Sequence, residues 1–199
     1  MYSSARVYAL DIETDNSEGE GLNPSRARIT QASVATEDTT EVFDGAEADL
    51  LAHLDRFLRR LPNGLIATWN GAAFDLPYLT TRAGRARVSL GLSLVADRRL
   101  TPKYGFLEGH HTAYHGIWES AVSSSVPHVH LDIAYAYRRH AREHEIPWSL
   151  KPVARSRGLD PVELDRERLH QYTPSQRAEY CASDAVITRQ LALDLLGVR

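Results

Sequence analysis

Asp11 and Glu13 stand two residues apart in an apolar, alternating stretch, Val7-Tyr8-Ala9-Leu10-Asp11-Ile12-Glu13-Thr14. In a strand, residues i and i+2 point to the same face, so this spacing puts two carboxylates on one patch of surface. Like charges held together repel and raise each other's pKa. A cation between them removes the conflict, and hard oxygen donors suit Mg²⁺ or Mn²⁺. A D-x-E pair facing solvent on an exposed edge is the other reading of the same residues. Far along the chain, Tyr180 and Asp184 are four apart in a helical pattern and share one face, among the small residues Ala178, Ala182 and Ala185. Taken alone they fit a satisfied surface pair equally well. Asp75 lies in Asn70-Gly71-Ala72-Ala73-Phe74-Asp75, where the chain turns into a helix and an acid also suits the helix dipole. Asp132 closes another apolar run, His128-Val129-His130-Leu131-Asp132, as a further acid or as the N-cap of the helix that follows.

The elements that must position these acids follow from periodicity. A strand over Arg6–Thr14 leads into turn chemistry, Asp15–Pro24. Strands over Ile29–Thr36 and Thr40–Phe43 complete a three-stranded meander. Leu50, Leu51, Leu54, Phe57, Leu58 and Leu61 have helical spacing within Ala46–Leu61, and Pro62-Asn63-Gly64 ends that helix. Leu65–Trp69 reads as a short buried strand, and Asn70-Gly71 turns into a helix carrying Phe74, Leu76, Tyr78 and Leu79. Arg82–Pro127 reads as an insertion with some strand content, its end marked by the polar run SAVSSS. A strand over His128–Ile133 runs into a helix ending near Glu145. Short helices are expected over Trp148–Ser156 and Pro161–Leu169, around a stop at Gly158. The final helix starts after Thr173-Pro174, an N-cap followed by proline at the first helical position, and ends near Leu196. Strands followed by alternating strands and helices give an α/β class, a mixed sheet with helices on its faces. Acids then gather at the ends of three strands and on one long helix.

Composition excludes several classes. The chain has 199 residues, 43% hydrophobic and 25% charged, enough for one domain with a sizeable core. No apolar run approaches the roughly 18 residues of a membrane span, and the first residues lack the layout of a signal peptide. The single cysteine, Cys181, excludes an internal disulfide framework and a cysteine-based zinc site, and fits a reducing cytosol. Inside a packed helix it reads as a small apolar filler. With 23 basic and 26 acidic residues the net charge is −3, so polyanions are not bound by bulk charge. Only Lys103 and Lys151 are lysines. A glycine-rich phosphate loop and a nucleophile elbow are both missing from the sequence. His110, His111, His115, His128 and His130 read as surface histidines. A 2-His-1-carboxylate iron site using His130, Asp132 and a distant histidine such as His170, or a zinc site in that cluster, are the rival chemistries.

Taken in order, D-I-E-T (Asp11–Thr14), N-G-A-A-F-D (Asn70–Asp75) and Y-C-A-S-D (Tyr180–Asp184) resemble the three exonuclease motifs of the DEDD superfamily of 3′→5′ exonucleases, which share a ribonuclease H-like fold. Tyr180, four before Asp184, matches the tyrosine (DEDDy) branch. The histidine branch has His five before that Asp, and here the position is Glu179. The chain looks most like the exonuclease domain of family B DNA polymerases, including the Leu131-Asp132 strand and the Leu150-Lys151-Pro152-Val153-Ala154 helix.

That resemblance implies a mixed five-stranded sheet flanked by helices, with an insertion around 82–127; with the length it makes residues 1–199 a single exonuclease-like domain, and the lone cysteine points to the cytoplasm. It implies that Asp11, Glu13, Asp75 and Asp184 bind two Mg²⁺ or Mn²⁺ ions. Asp11 would bridge the ions, Glu13 and Asp184 would complete the tighter site, and Asp75 would hold the second, partly through water. Tyr180, with a reference pKa of about 10, would orient the attacking water rather than act as a base. The backbone at Ile12 and Thr14 would meet the terminal nucleotide, with Asn70 and Phe74 lining its pocket; as local structure, Asn70 fits a helix N-cap and Phe74 a core residue. Single-stranded or frayed DNA is the favoured substrate and RNA is possible. Arg82, Arg85, Arg87, Arg98, Arg99 and Lys103 form a basic stretch that could follow a phosphate backbone with Tyr104 and Phe106 stacking on bases, or a solvated loop. The alternatives are a ribonuclease of the same mechanism and a non-catalytic ribonuclease H-like module that binds nucleic acid or a protein partner.

Overall fold

A computed structural model of the chain describes residues 6–123 and 126–198. Ser124 and Ser125 of the polar run lie outside the described residues, as does the start of the N-terminal segment. Seven strands form one sheet: β1 (Val7–Thr14), β2 (Ile29–Ala35), β3 (Thr40–Phe43), β4 (Leu65–Thr68), β5 (Leu92–Asp97), β6 (Ala113–Trp118) and β7 (His128–Asp132). Their order across the sheet is β3-β2-β1-β4-β7-β6-β5. β1, β4 and β7 are parallel to one another and the other pairings are antiparallel. The helices are α1 (Glu47–Arg60), α2 (Asp75–Ala86), α3 (Ala134–Glu143), α4 (Leu150–Ser156) and α5 (Pro174–Leu196), with a 3₁₀ turn at Arg166–Gln171.

The α/β class and the mixed sheet are as expected, and the sheet is two strands wider than the five anticipated. The two extra strands are β5 and β6, a hairpin-like pair built by the insertion and added at the far edge beside β7. The insertion is held to the core by Asp55 on α1. Its carboxylate accepts from Trp118 Nε1 at 2.8 Å and from the Gly91 N–H at 2.7 Å. The segment expected to be helical over 161–169 is irregular until its 3₁₀ turn.

Alternation along β1 sorts its residues between two cores. Tyr8, Leu10 and Ile12 pack with Leu50, Leu51, Leu54 and Leu58 of α1 and with Tyr78 and Leu79 of α2. Val7 and Ala9 pack on the other face with Ile187, Leu191 and Ala192 of α5 and with Ile133, Val153 and Ala154. Asp11 and Glu13 continue that second row, so they emerge from the sheet on the face covered by α5. The helix is fixed at its start by a capping box, Thr173 and Gln176 exchanging side-chain to backbone bonds, with Pro174 in the first turn.

β7 inverts the usual hydropathic pattern. His128, His130 and Asp132 are buried, while Val129 is 49% exposed and pairs in register with the exposed Ile117 of β6. The histidines expected at the surface are therefore inside at these two positions. Both buried rings find a hydrogen-bond partner, as burial requires: His128 Nε2 meets the Leu58 carbonyl at 3.0 Å, and His130 Nε2 meets Thr68 Oγ1 at 2.7 Å.

Candidate active site

Oxygen atoms from Asp11, Glu13 and Asp184 lie within 4.8 Å of one another, the one such group of acids, histidines or cysteine among the described residues. Two come from adjacent same-face positions of β1 and the third from α5, which lies across that face. Asp184 is fully buried, and Asp11 and Glu13 are partly so. Three hard oxygens at this spacing fit a divalent cation of the Mg²⁺ or Mn²⁺ kind. No histidine joins them, and the histidine–carboxylate iron and zinc arrangements do not form among the described residues.

Close packing of α5 on the sheet makes the cluster possible. The Ser33 hydroxyl on β2 donates to the Cys181 carbonyl at 2.7 Å, and the Cys181 thiol lies 3.8 Å from Asp11 Oδ2. Burial, with the charges of Asp11 and Glu13 adding to it, pushes the Cys181 thiol far up, so it stays neutral.

Tyr180 is buried one turn before Asp184. Against its ring, 3.5 Å from the centroid, lies the ammonium of Lys151, which is also 3.2 Å from Asp184 Oδ1 and donates to the Val162 carbonyl. Lys151 comes from α4 and is only 6% exposed. Sequence reasoning placed it in a matching helix and assigned it no role. Its available signal was a lysine inside a buried helical pattern, in a chain whose other basic residues, Lys103 apart, are all arginine.

Asp75 opens α2 and lies outside the 4.8 Å set. Burial raises its pKa, and the nearby charge of Asp132 raises it further, while the Ile12 backbone N–H bonds to it. Asp132 is held differently. It accepts from the N–H groups of Asn70 at 2.9 Å, Ala72 at 3.0 Å and Ala134 at 3.1 Å. It thereby ties the turn before α2 to the start of α3, a wider task than capping one helix, and burial raises its pKa as well. In that turn Asn70 takes a left-handed φ of 65°. Gly71 has no alternative, since a Cβ there would sit 2.2 Å from Thr68 Oγ1. Asn70 is not the N-cap of α2; that position is Phe74, whose ring packs 5.2 Å from that of Tyr78. The Thr14 hydroxyl donates to the Gly21 carbonyl at 2.7 Å.

A cavity of about 180 Å³ opens beside Glu13 and Thr14, between the first turn of α5 and the entry of β2. Gln31, Arg28, His170 and Arg177 line it; of these the sequence singled out only His170, and for an iron site that does not form among the described residues.

Two members of the basic stretch are committed to acids. Arg82 is engaged bidentately by Glu47, at 2.8 and 2.6 Å, and Arg99 pairs with Asp97 at 3.1 Å.

An α/β domain with a mixed seven-stranded sheet and a three-carboxylate cluster at the β1–α5 junction is the class that fold and site define. Comparison with known proteins agrees. Over 152 residues, 73% of the chain, the sequence is 30% identical to the catalytic polypeptide of DNA polymerase epsilon from Candida glabrata, of which it spans 6%. The fold matches the family B DNA polymerase of the hyperthermophilic archaeon Pyrobaculum calidifontis with a TM-score of 0.68 and 24% identity, covering 98% of this chain and 25% of that one. No family model matches. The chain is thus homologous to a segment of the DNA polymerase epsilon catalytic polypeptide, and it shares a family B polymerase fold, consistent with the exonuclease domain of that family. Among the described residues, no helix is long and apolar enough to cross a membrane.

Proposed function

We propose that this chain is a divalent-metal-dependent 3′→5′ exonuclease of the tyrosine branch, acting as a single domain in the cytoplasm on single-stranded or frayed DNA ends. The observation that carries the proposal is the convergence of Asp11, Glu13 and Asp184 within 4.8 Å, on a domain folded like a family B polymerase.

In the proposed mechanism Asp11, Glu13 and Asp184 would hold one Mg²⁺ or Mn²⁺, and Asp75 with Asp11 would hold a second. Bound divalent ions supply activation of water and stabilisation of the leaving 3′ oxygen in an in-line displacement. The protein's own groups do the rest. Tyr180, held by the helix and braced by Lys151 against its ring, directs its hydroxyl to the attacking water. Lys151 also fixes Asp184, so one ammonium positions both the tyrosine and a ligand. Asp132 keeps the 70–72 turn in place, and with it Asn70 and Phe74 at the terminal nucleotide. Ile12 and Thr14 present backbone to its sugar. Water adds to phosphorus, the bond to the preceding 3′ oxygen breaks, and a nucleoside 5′-monophosphate leaves.

The experiment is hydrolysis of 5′-labelled oligonucleotides by wild type and by Asp11→Ala and Asp184→Ala. A descending ladder with Mg²⁺ or Mn²⁺, abolished in both variants while binding survives, supports the assignment. Nuclease activity that persists in both variants would overturn it. Tyr180→Phe should slow turnover and leave metal affinity intact, and an outright loss of metal affinity in that variant would refute its positioning role.

A further inference from the structure

The insertion builds a surface that the chemistry above does not use. Tyr104 is 75% exposed, and the Lys103 ammonium lies 4.4 Å from its ring centroid and 5.3 Å from that of Trp148. The Arg138 guanidinium covers the Trp148 ring from α3, at 5.2 Å. Neither Lys103 nor Arg138 forms an ion pair among the described residues. Two cations thus share one patch with the exposed Tyr104 ring and the half-buried Trp148 ring, which packs on the second core. The Tyr135 hydroxyl fixes the loop by donating to the Thr101 carbonyl at 3.1 Å, and the Tyr135 ring packs edge-on to Trp148 at 5.9 Å.

This patch is joined to the catalytic end of the sheet. Trp148 Nε1 donates to the Ala134 carbonyl at 2.6 Å, and the Ala134 N–H donates to Asp132. Three residues after Trp148 comes Lys151, whose ammonium touches Asp184. Aromatic faces interleaved with cations are what single-stranded nucleic acid binds without sequence preference, through base stacking and phosphate contacts.

We infer that the Lys103–Tyr104–Trp148–Arg138 surface is the track for the single strand upstream of the terminal nucleotide. Tyr104 stacks on a base, and Lys103 and Arg138 meet phosphates. The inference rests on the exonuclease reading, which supplies the end from which the strand runs.

The test uses the full chain carrying Lys103→Ala and Tyr104→Ala together, both on an exposed loop. Binding of 5′-fluorescein oligo-dT of 2, 4, 8 and 12 nucleotides is measured by anisotropy in EDTA, so that hydrolysis plays no part, and turnover of the dinucleotide is measured separately in Mn²⁺. The wild type should bind more tightly as length grows. The variant should lose about tenfold on the 12-mer, flatten its salt dependence by about 0.7 in slope for the one phosphate contact removed, and bind and turn over the dinucleotide as the wild type does. Unchanged 12-mer binding in the variant, or an equal loss at every length, would overturn the track. Absence of cleavage in the wild type would remove the nuclease reading, while length-dependent binding still judges the surface.

Discussion

Replacing Lys151 with methionine isolates the positive charge set against the acidic cluster. Methionine keeps much of the apolar stem and removes the ammonium that stands 3.2 Å from Asp184 Oδ1 and 3.5 Å from the Tyr180 ring centroid. Both members of the ion pair are almost fully buried, with side-chain exposures of 7% and 2%. Removing one partner of a buried pair costs about 3–5 kcal/mol because the other charge is left desolvated. The cation–π contact, about 2 kcal/mol when desolvated, falls inside that figure. With a urea m-value of about 2–3 kcal/mol/M, the midpoint in EDTA should fall by roughly 1–2.5 M. Millimolar Mn²⁺ supplies positive charge to the same carboxylates and binds only the folded chain, so the deficit should shrink to less than half. Urea unfolding of both proteins in EDTA and in Mn²⁺ gives the four numbers needed. A deficit of the same size in both conditions would reduce Lys151 to a packing residue, and one below about 1 kcal/mol in EDTA would refute the charge argument.

Three other expectations concern the metal site, the buried histidine and the insertion. Mn²⁺ at about 100 times its Kd should stabilise the wild type by about 2.7 kcal/mol, a rise in Tm of about 5–10 °C, and Asp11→Asn should lose that rise in a thermal melt. His130 is held neutral, its pKa lowered to about 3, by burial first and then by the charge of His115. Between about pH 6.5 and 3 the unfolded chain therefore takes up a proton that the folded one refuses, and stability falls as pH drops. Relative to His130→Gln, the wild type should lose about 2–3 kcal/mol between pH 7 and 4.5; parallel urea titrations of the two proteins check this, and equal losses would contradict it. Asp55→Ala orphans the Trp118 indole N–H and the Gly91 N–H. It should cost about 2–4 kcal/mol and shift Trp118 fluorescence to the red, whereas unaltered fluorescence would mean that the insertion is anchored elsewhere.

What could be read from the sequence was what local rules determine. Alternation in β1 told which residues face which way, and that alone put Asp11 and Glu13 on one face. Thr173-Pro174 announced the start of α5, and Asn70-Gly71 the turn that needs a left-handed φ. The placements that depend on distant partners were not legible. Lys151 meets Asp184 only because α4 and α5 pack together, 33 positions apart in the chain. His128 and His130 alternate with Val129 in a pattern that serves either face, and the inner face was decided by Leu58 and Thr68, which offer them hydrogen bonds. Strands β5 and β6 sit at the sheet edge with much of their surface exposed, so they lack the apolar runs that mark a buried strand. Arg82 read as a free cation because Glu47, its partner, lies on another helix.

The central claim is that three carboxylates brought together by β1 and α5 hold the ions of a nuclease. The most direct measurement is incubation of 3′- and 5′-labelled single-stranded DNA with the wild type and Asp184→Ala in Mn²⁺ or EDTA. Wild type with Mn²⁺ should remove nucleoside 5′-monophosphates one at a time from the 3′ end, and EDTA or the substitution should stop it. Degradation from the 5′ end, or hydrolysis undiminished in EDTA and in Asp184→Ala, would contradict the claim.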